Sequence, residues 1–143
     1  MSKTSFSNAD DVVSSLDIIE RIEDLNTERA RWVEEQAGEE VAAADFPAWA
    51  ELWTSAHLDD AAELASLQKL AEEAEGYAAD WEYGEILIRD DYFTDYAREM
   101  LEDCGTIPRD LPSWVKIDWE ATARNVRADY AAVDFDGVTY WIR

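Results

Sequence analysis

Between Phe93 and Cys104, apolar side chains recur at i, i+3, i+4, i+7, i+8 and i+11: Phe93, Tyr96, Ala97, Met100, Leu101 and Cys104. That spacing places all six on one stripe of an α-helix. Asp90, Asp91, Asp95, Glu99, Glu102 and Asp103 fall off the stripe, so the same segment carries a row of carboxylates toward water or a partner. A chain built from such segments can only fold by turning its helices inward on one side and leaving the acids outside.

The same design recurs upstream. Met1–Asn8 reads as a polar leader, and a long helix runs from Asp10 or Ser15 to about Gln36. It is spaced by Leu16, Ile19, Ile22, Leu25, Trp32 and Val33, with Gly38 as its C-terminal cap. Its other faces hold Asp17, Glu20, Glu23, Asp24, Glu28, Glu34 and Glu35, partly offset by Arg21, Arg29 and Arg31. A shorter helix over Ala44–His57 has Pro47 in its first turn, where the missing N–H costs nothing, and carries Phe46, Trp49, Leu52 and Trp53. Asp59 or Asp60 caps the next helix, to about Gly76, with Leu64, Leu67, Leu70, Ala71 and Ala74 inward.

Ile86–Ile88 is the best early strand, and Asp90 or Asp91 caps the acidic helix that ends at Gly105. Pro108 and Pro112 mark an ordered loop, and Asp118 caps WEATARNVRA. Tyr130, Val133, Phe135 and then Val138, Tyr140, Ile142 flank Asp136-Gly137, a hairpin signal. The expected fold class is α+β: helix-rich and elongated, with a small antiparallel sheet that includes this C-terminal hairpin. Residues 1–13 form the leader, 14–80 an acidic helical region and 81–143 a C-terminal α+β region, continuous enough to share one domain.

Composition decides what such a surface can bind. Against 34 Asp and Glu stand 12 Lys and Arg, a formal charge of −22 over 143 residues. Self-repulsion on that scale opposes compaction, so its use lies outside folding. Phosphates and anionic membrane surfaces are repelled, which excludes direct nucleic-acid and membrane binding and leaves positively charged surfaces as partners. Seven Trp and six Tyr rule out a disordered acidic tail. One cysteine forbids an internal disulfide, and neither an apolar leader nor a long apolar run is present, so a cytoplasmic location is expected.

Little in the sequence suggests catalysis. His57 is the single histidine, best explained as a contact at a helix C-terminus, and Cys104 reads as a small core residue on the stripe. Asp134-Phe135-Asp136-Gly137 has the look of a calcium loop but lacks its distal glutamate, so turn chemistry explains it better. No metal, cofactor or enzymatic activity is expected. With three lysines (Lys3, Lys69, Lys116), salt adaptation without a specific partner is the plain alternative, as is an acidic adaptor; loss of fold at low salt would mark the first.

Duplex DNA presents one negative charge per ~1.7 Å of axis, so 22 excess charges match about 37 Å, on the order of eleven base pairs. Helices of ~15 residues span about 22 Å each, so two or three acidic helices reach that length. The charge density suits imitation of a duplex.

From Asp90 the chain reads DDYFTDYAREMLEDCG, a loop with LPSWVKIDWEATARNV, then a hairpin closing on DGVTYWIR. This order resembles the C-terminal part of the ArdA-type antirestriction proteins. SSLDIIERIEDLN and LDDAAELASLQKLAEEAEGYAADW are similar to the family's helical middle, so the likeness spans Ser14 to Arg143. The chain begins almost at that middle region, without the small N-terminal domain usual in the family. The resemblance implies an elongated, often dimeric DNA mimic that occupies the DNA groove of a type I restriction–modification enzyme, shielding phage or mobile-element DNA. An anti-CRISPR or nucleoid-protein antagonist would use the same mimicry. The matching surface acids are Asp90, Asp91, Asp95, Glu99, Glu102, Asp103, Asp118 and Glu120; charge alone adds Asp59, Asp60, Glu63, Glu72, Glu73 and Glu75. The aromatic strand Val138–Ile142 is a candidate for edge-to-edge pairing with a second copy.

Overall fold

The structure is a computed structural model that describes residues 6–108 and 110–143; the first five residues of the leader lie outside them. A short strand β1 (Val12–Ser14) leads directly into helix α1 (Ser15–Ala37). The Ser14 side chain accepts from the Leu16 N–H, and Gly38, at φ 75°, ends the helix by donating to the Glu34 carbonyl. Helix α2 (Phe46–Ala56) opens on Pro47, and α3 (Leu58–Glu75) follows after the single residue His57. Strand β2 (Ile86–Arg89), a 3₁₀ turn at Asp90–Tyr92 and helix α4 (Phe93–Asp103) come next. Helix α5 (Trp119–Arg127) and strands β3 (Ala131–Phe135) and β4 (Val138–Ile142) close the chain.

The four strands form one antiparallel sheet in the order β1-β2-β4-β3. Alternation along the strands gives the sheet two buried faces. Val13, Leu87, Val133, Phe135, Tyr140 and Ile142 face the larger core, with Ile18 and Leu25 of α1 and Leu64, Leu67 and Leu70 of α3. Ile88 and Trp141, paired across β2 and β4, face a smaller core with Phe93 and Ala97 of α4 and Ala123 of α5. The sheet therefore lies between α1–α3 and α4–α5. Elements from 14–80 and from 81–143 share the larger core.

Several sequence expectations need correction. Val12 and Val13 sit in a strand, not a leader, because Val13 enters the core and Phe6 packs on it. Leu16 is 47% exposed, while Arg21 is 2% exposed and occupies the inward face of α1. Its Nε and Nη2 each donate to a Glu63 oxygen at 2.8 Å, which lets a charged group replace an apolar one on the stripe and raises its pKa. Leu52 of α2 also points outward. Neither Asp59/Asp60 nor Asp90/Asp91 caps a helix with its side chain: α3 and α4 start at Leu58 and Phe93 without one. Cys104 is exposed, because the helix ends at Asp103 before the stripe completes its third turn. Finally, β4 is an interior strand with β2 and β3 on its flanks, so it has no edge to offer a second copy; β1 and β3 are the edges.

The Asp136-Gly137 turn has both residues at positive φ (50° and 86°), the type I′ geometry that matches strand twist. Tyr140, fully buried, donates its hydroxyl to the Asp10 and Ser7 carbonyls and so ties the N-terminal segment to the sheet. Burial pushes its pKa up to about 12, and Tyr130 likewise. A raised folded-state pKa contributes stability that is complete below the unfolded value of ~10 and lost as pH rises toward 12. Denaturant stability is thus expected to stay level to about pH 9 and then fall steeply. Tyr140→Phe should lower stability at pH 8 by about 1 kcal/mol and flatten the alkaline fall. An unchanged alkaline limb in that variant would sink this assignment.

Candidate functional site

Carboxylates divide into those that the fold uses and those that it leaves over. Glu63 is held by Arg21, and Glu73 accepts from the Asp134 backbone N–H at 3.2 Å, pinning α3 to the edge strand β3. Asp90 accepts from Trp141 Nε1 at 2.8 Å and lies 4.0 Å from Arg127, whose guanidinium stacks over Phe93 and Trp141. Asp91 pairs with Arg89, Glu99 accepts from the Tyr92 hydroxyl, and Glu102 pairs with Arg98 at 2.8 Å. Asp118 caps α5 by accepting from the Ala121 N–H at 3.0 Å. Asp103 also has an interaction of its own.

Asp59, Asp60, Glu72, Glu75, Asp95 and Glu120 make no such side-chain bond or ion pair with the described residues. Asp59 and Asp60 lie in the first turn of α3, and Glu72 and Glu75 in its last turns. Asp95 and Glu120 lie in the first turns of α4 and α5. The anticipated surface is thus a set of positions in different states. Some acids already serve a cation or a backbone donor, and others remain available to a partner.

The structure adds acids that the site expectation omitted. Glu20, Glu23, Glu34 and Glu35 are exposed on α1, and Glu39 and Glu40 follow Gly38 in the next loop. Glu34, Glu35, Glu39 and Glu40 line one notch at the end of α1, with Arg31 as its cation. The signal was there to read: four glutamates within seven residues, around the helix-ending glycine.

Position along the helix matters as much as exposure. A helix C-terminus carries partial negative charge and favours cations, each misplaced acid typically costing about 0.3–1 kcal/mol at low salt. The last turns of α1, α3 and α4 contain no basic residue. They end instead on Glu34 and Glu35, on Glu72, Glu73 and Glu75, and on Glu102 and Asp103. Helix α5 obeys the rule, with Arg124 and Arg127 in its last turn. Three helices therefore carry acids where the helix dipole disfavours them.

His57 joins α2 to α3, its Nδ1 3.1 Å from the Trp53 carbonyl, its ring stacked on Trp53 and edge-on to Trp32. Asp134 and Asp136 serve the hairpin: Asp134 accepts from the Gly137 N–H and Asp136 from the Ser66 hydroxyl at 2.6 Å. Among the described residues no three His, Cys, Asp or Glu side chains gather to hold a metal ion. No helix among them is long and apolar enough to cross a membrane.

Fold and surface together define a class: a helix-rich α+β protein whose main feature is uncompensated carboxylate charge. The family model described as antirestriction protein (ArdA) matches residues 5–139, most of the chain, and the protein belongs to that family. The match begins ahead of Ser14, where the likeness read from the sequence began. No curated protein and no solved structure matches the chain.

Proposed function

We propose that the protein inhibits a DNA-binding defence enzyme, in the first place a type I restriction–modification complex, by offering carboxylates where the enzyme expects phosphates. It performs no reaction and needs no cofactor. It acts as a homodimer in the bacterial cytoplasm, protecting phage or mobile-element DNA. The observation that carries this reading is the placement of acids in the last turns of α1, α3 and α4, none of which contains a basic residue; Glu34, Glu35, Glu72 and Glu75 are the ones the fold leaves over. Membership of the antirestriction family supplies the target class.

Dimensions agree with the reading. Helix α1, with 23 residues, is about 34 Å long, close to ten base pairs of duplex. Acids three or four residues apart on one helix face step about 4.5–6 Å along its axis, against ~3.4 Å per phosphate on one DNA strand. One helix is sparser than one strand, so imitation needs several helices, and α1, α3 and α4 supply them.

The test is competition. A labelled duplex bound to the purified restriction complex should be displaced by the protein, and the protein's own affinity for the complex, measured directly, should weaken steeply between 50 and 200 mM salt as that of the duplex does. For six to ten phosphate-like contacts the affinity change over that range is on the order of 10³–10⁵. Inhibition that leaves the duplex bound, or direct binding to the complex that ignores salt, would remove mimicry from consideration.

A further inference from the structure

Helices α2 and α3 enclose a shallow groove of about 460 Å³, with Thr54, Leu58, Ala62, Ala65 and Gln68 along it, over the buried Trp53. Leu58 projects at its start, 69% exposed. Acids surround this apolar centre. Asp59 lies one helical turn before Ala62, Asp60 one turn before Leu64 and Glu72 one turn beyond Gln68, while Glu51 precedes Thr54 by a turn on α2. None of the four makes a side-chain hydrogen bond or ion pair with the described residues. Against them stands Lys69, one turn beyond Ala65. The Arg29 guanidinium belongs to the lining, 5.3 and 5.9 Å from the ring centres of Phe46 and Trp53, with its Nη2 donating to Asn26.

We infer that this groove receives an apolar side chain of the inhibited enzyme, set between that enzyme's own Lys and Arg residues, and that the contact selects the target. The inference rests on the mimicry proposed above. A track of carboxylates answers any surface built for phosphates, and phosphate contacts position a protein without specifying a sequence. A mimic made of charge alone would be shared among duplex-binding proteins, so choosing one of them requires a feature that a phosphate backbone lacks. An apolar groove inside a rim of acids is such a feature. It has the layout of specific protein interfaces, an apolar anchor enclosed by polar contacts. Charge fixes the chemistry of the occupant. Four acids against one lysine favour cations around the groove and turn an acid away, whereas Arg29 opposes a cation entering it. The seated side chain is therefore uncharged, with basic residues on either side.

Salt separates the two components, because ion pairs are screened and apolar contacts are not. Direct binding of the full chain to the purified type I complex should weaken about five- to thirtyfold in Leu58→Ser, by the same factor at 50 and 200 mM salt. Ala65→Gln, which fills the groove and leaves Leu58 in place, should do the same. Both positions are exposed, so circular dichroism and Tm should stay as in the parent. Glu51→Gln combined with Asp59→Asn should instead weaken binding more at 50 than at 200 mM salt. A lysine homopolymer, which offers charge without the anchor, should bind both groove variants as it binds the parent. Tyr83→Ser, at an exposed ring outside the groove, should bind the complex like the parent. Groove variants that bind the complex as the parent does, or that lose as much affinity for the homopolymer, would overturn the inference. A parent that cannot displace the duplex removes mimicry and this inference with it; displacement that persists beside indifferent groove variants removes the inference alone.

Discussion

Replacing Glu34, Glu35, Glu72 and Glu75 by glutamine in one chain is expected to weaken inhibition by about tenfold to several hundredfold at 0.1 M salt. Exposed ion pairs are individually weak, so no single one of these changes should exceed a few fold. In the proposed reading the set acts together, since each contact would draw on the same basic groove. The same variant should be more stable than its parent, since all four acids lie in the C-terminal turns of α1 and α3, against the helix dipole. A gain of about 3–8 °C in Tm is expected at low salt. Opposite movement of stability and inhibition is the discriminating result. Salt adaptation predicts that inhibition is untouched and that the fold weakens at high salt. A variant that is as inhibitory as the parent removes the role assigned to these helix ends; one that loses both fold and inhibition shows that the acids are structural.

Local signals in the sequence were reliable where the partner of a residue lay close by. Asp118 caps α5 three residues ahead of the donor that it binds, and Asp136-Gly137 needs only its own positive φ values to turn the hairpin. Signals failed where the deciding partner was far away. Asp90 lies ahead of an acidic helix like a cap, but its carboxylate is taken by Trp141, 51 residues on, and the chain makes a 3₁₀ turn before α4 begins. Glu63 and Glu73 read as surface charge, yet they answer Arg21 and the Asp134 N–H at separations of 42 and 61 residues. Strand β1 has three residues, too few for any alternation to declare it, and only its pairing with β2 makes it a strand. Strand order is equally non-local: β4 ends the chain but lies inside the sheet, because β2 takes its outer side. For the site, charge density was legible along each helix, whereas the division between employed and unemployed acids depended on tertiary contacts.

The small core beneath α4 and α5 is the place where one substitution should do most damage. Phe93 has no exposed surface and meets Tyr96, Tyr130 and Trp141 at ring centroid distances of 5.9, 5.1 and 6.3 Å, with the Arg127 guanidinium 5.5 Å from its centre. Among the described residues, Ile88, Ala97 and Ala123 are the ones buried with it, so its ring fills most of that core. Phe93→Ala removes the ring from a site with small neighbours on two sides, where collapse cannot recover the contacts. The expected loss is about 3–5 kcal/mol. Because the sheet separates this core from that of α1 and α3, the loss should be regional: faster amide exchange in α4 and α5, with α1 and α3 still protected. Inhibition should then fall by the share that Asp95, Glu99 and Glu102 contribute, since α4 no longer holds them in place. Uniformly faster exchange in all five helices would mean that the two cores fold as one unit, and the acids of α4 would have to be assigned together with those of α1 and α3.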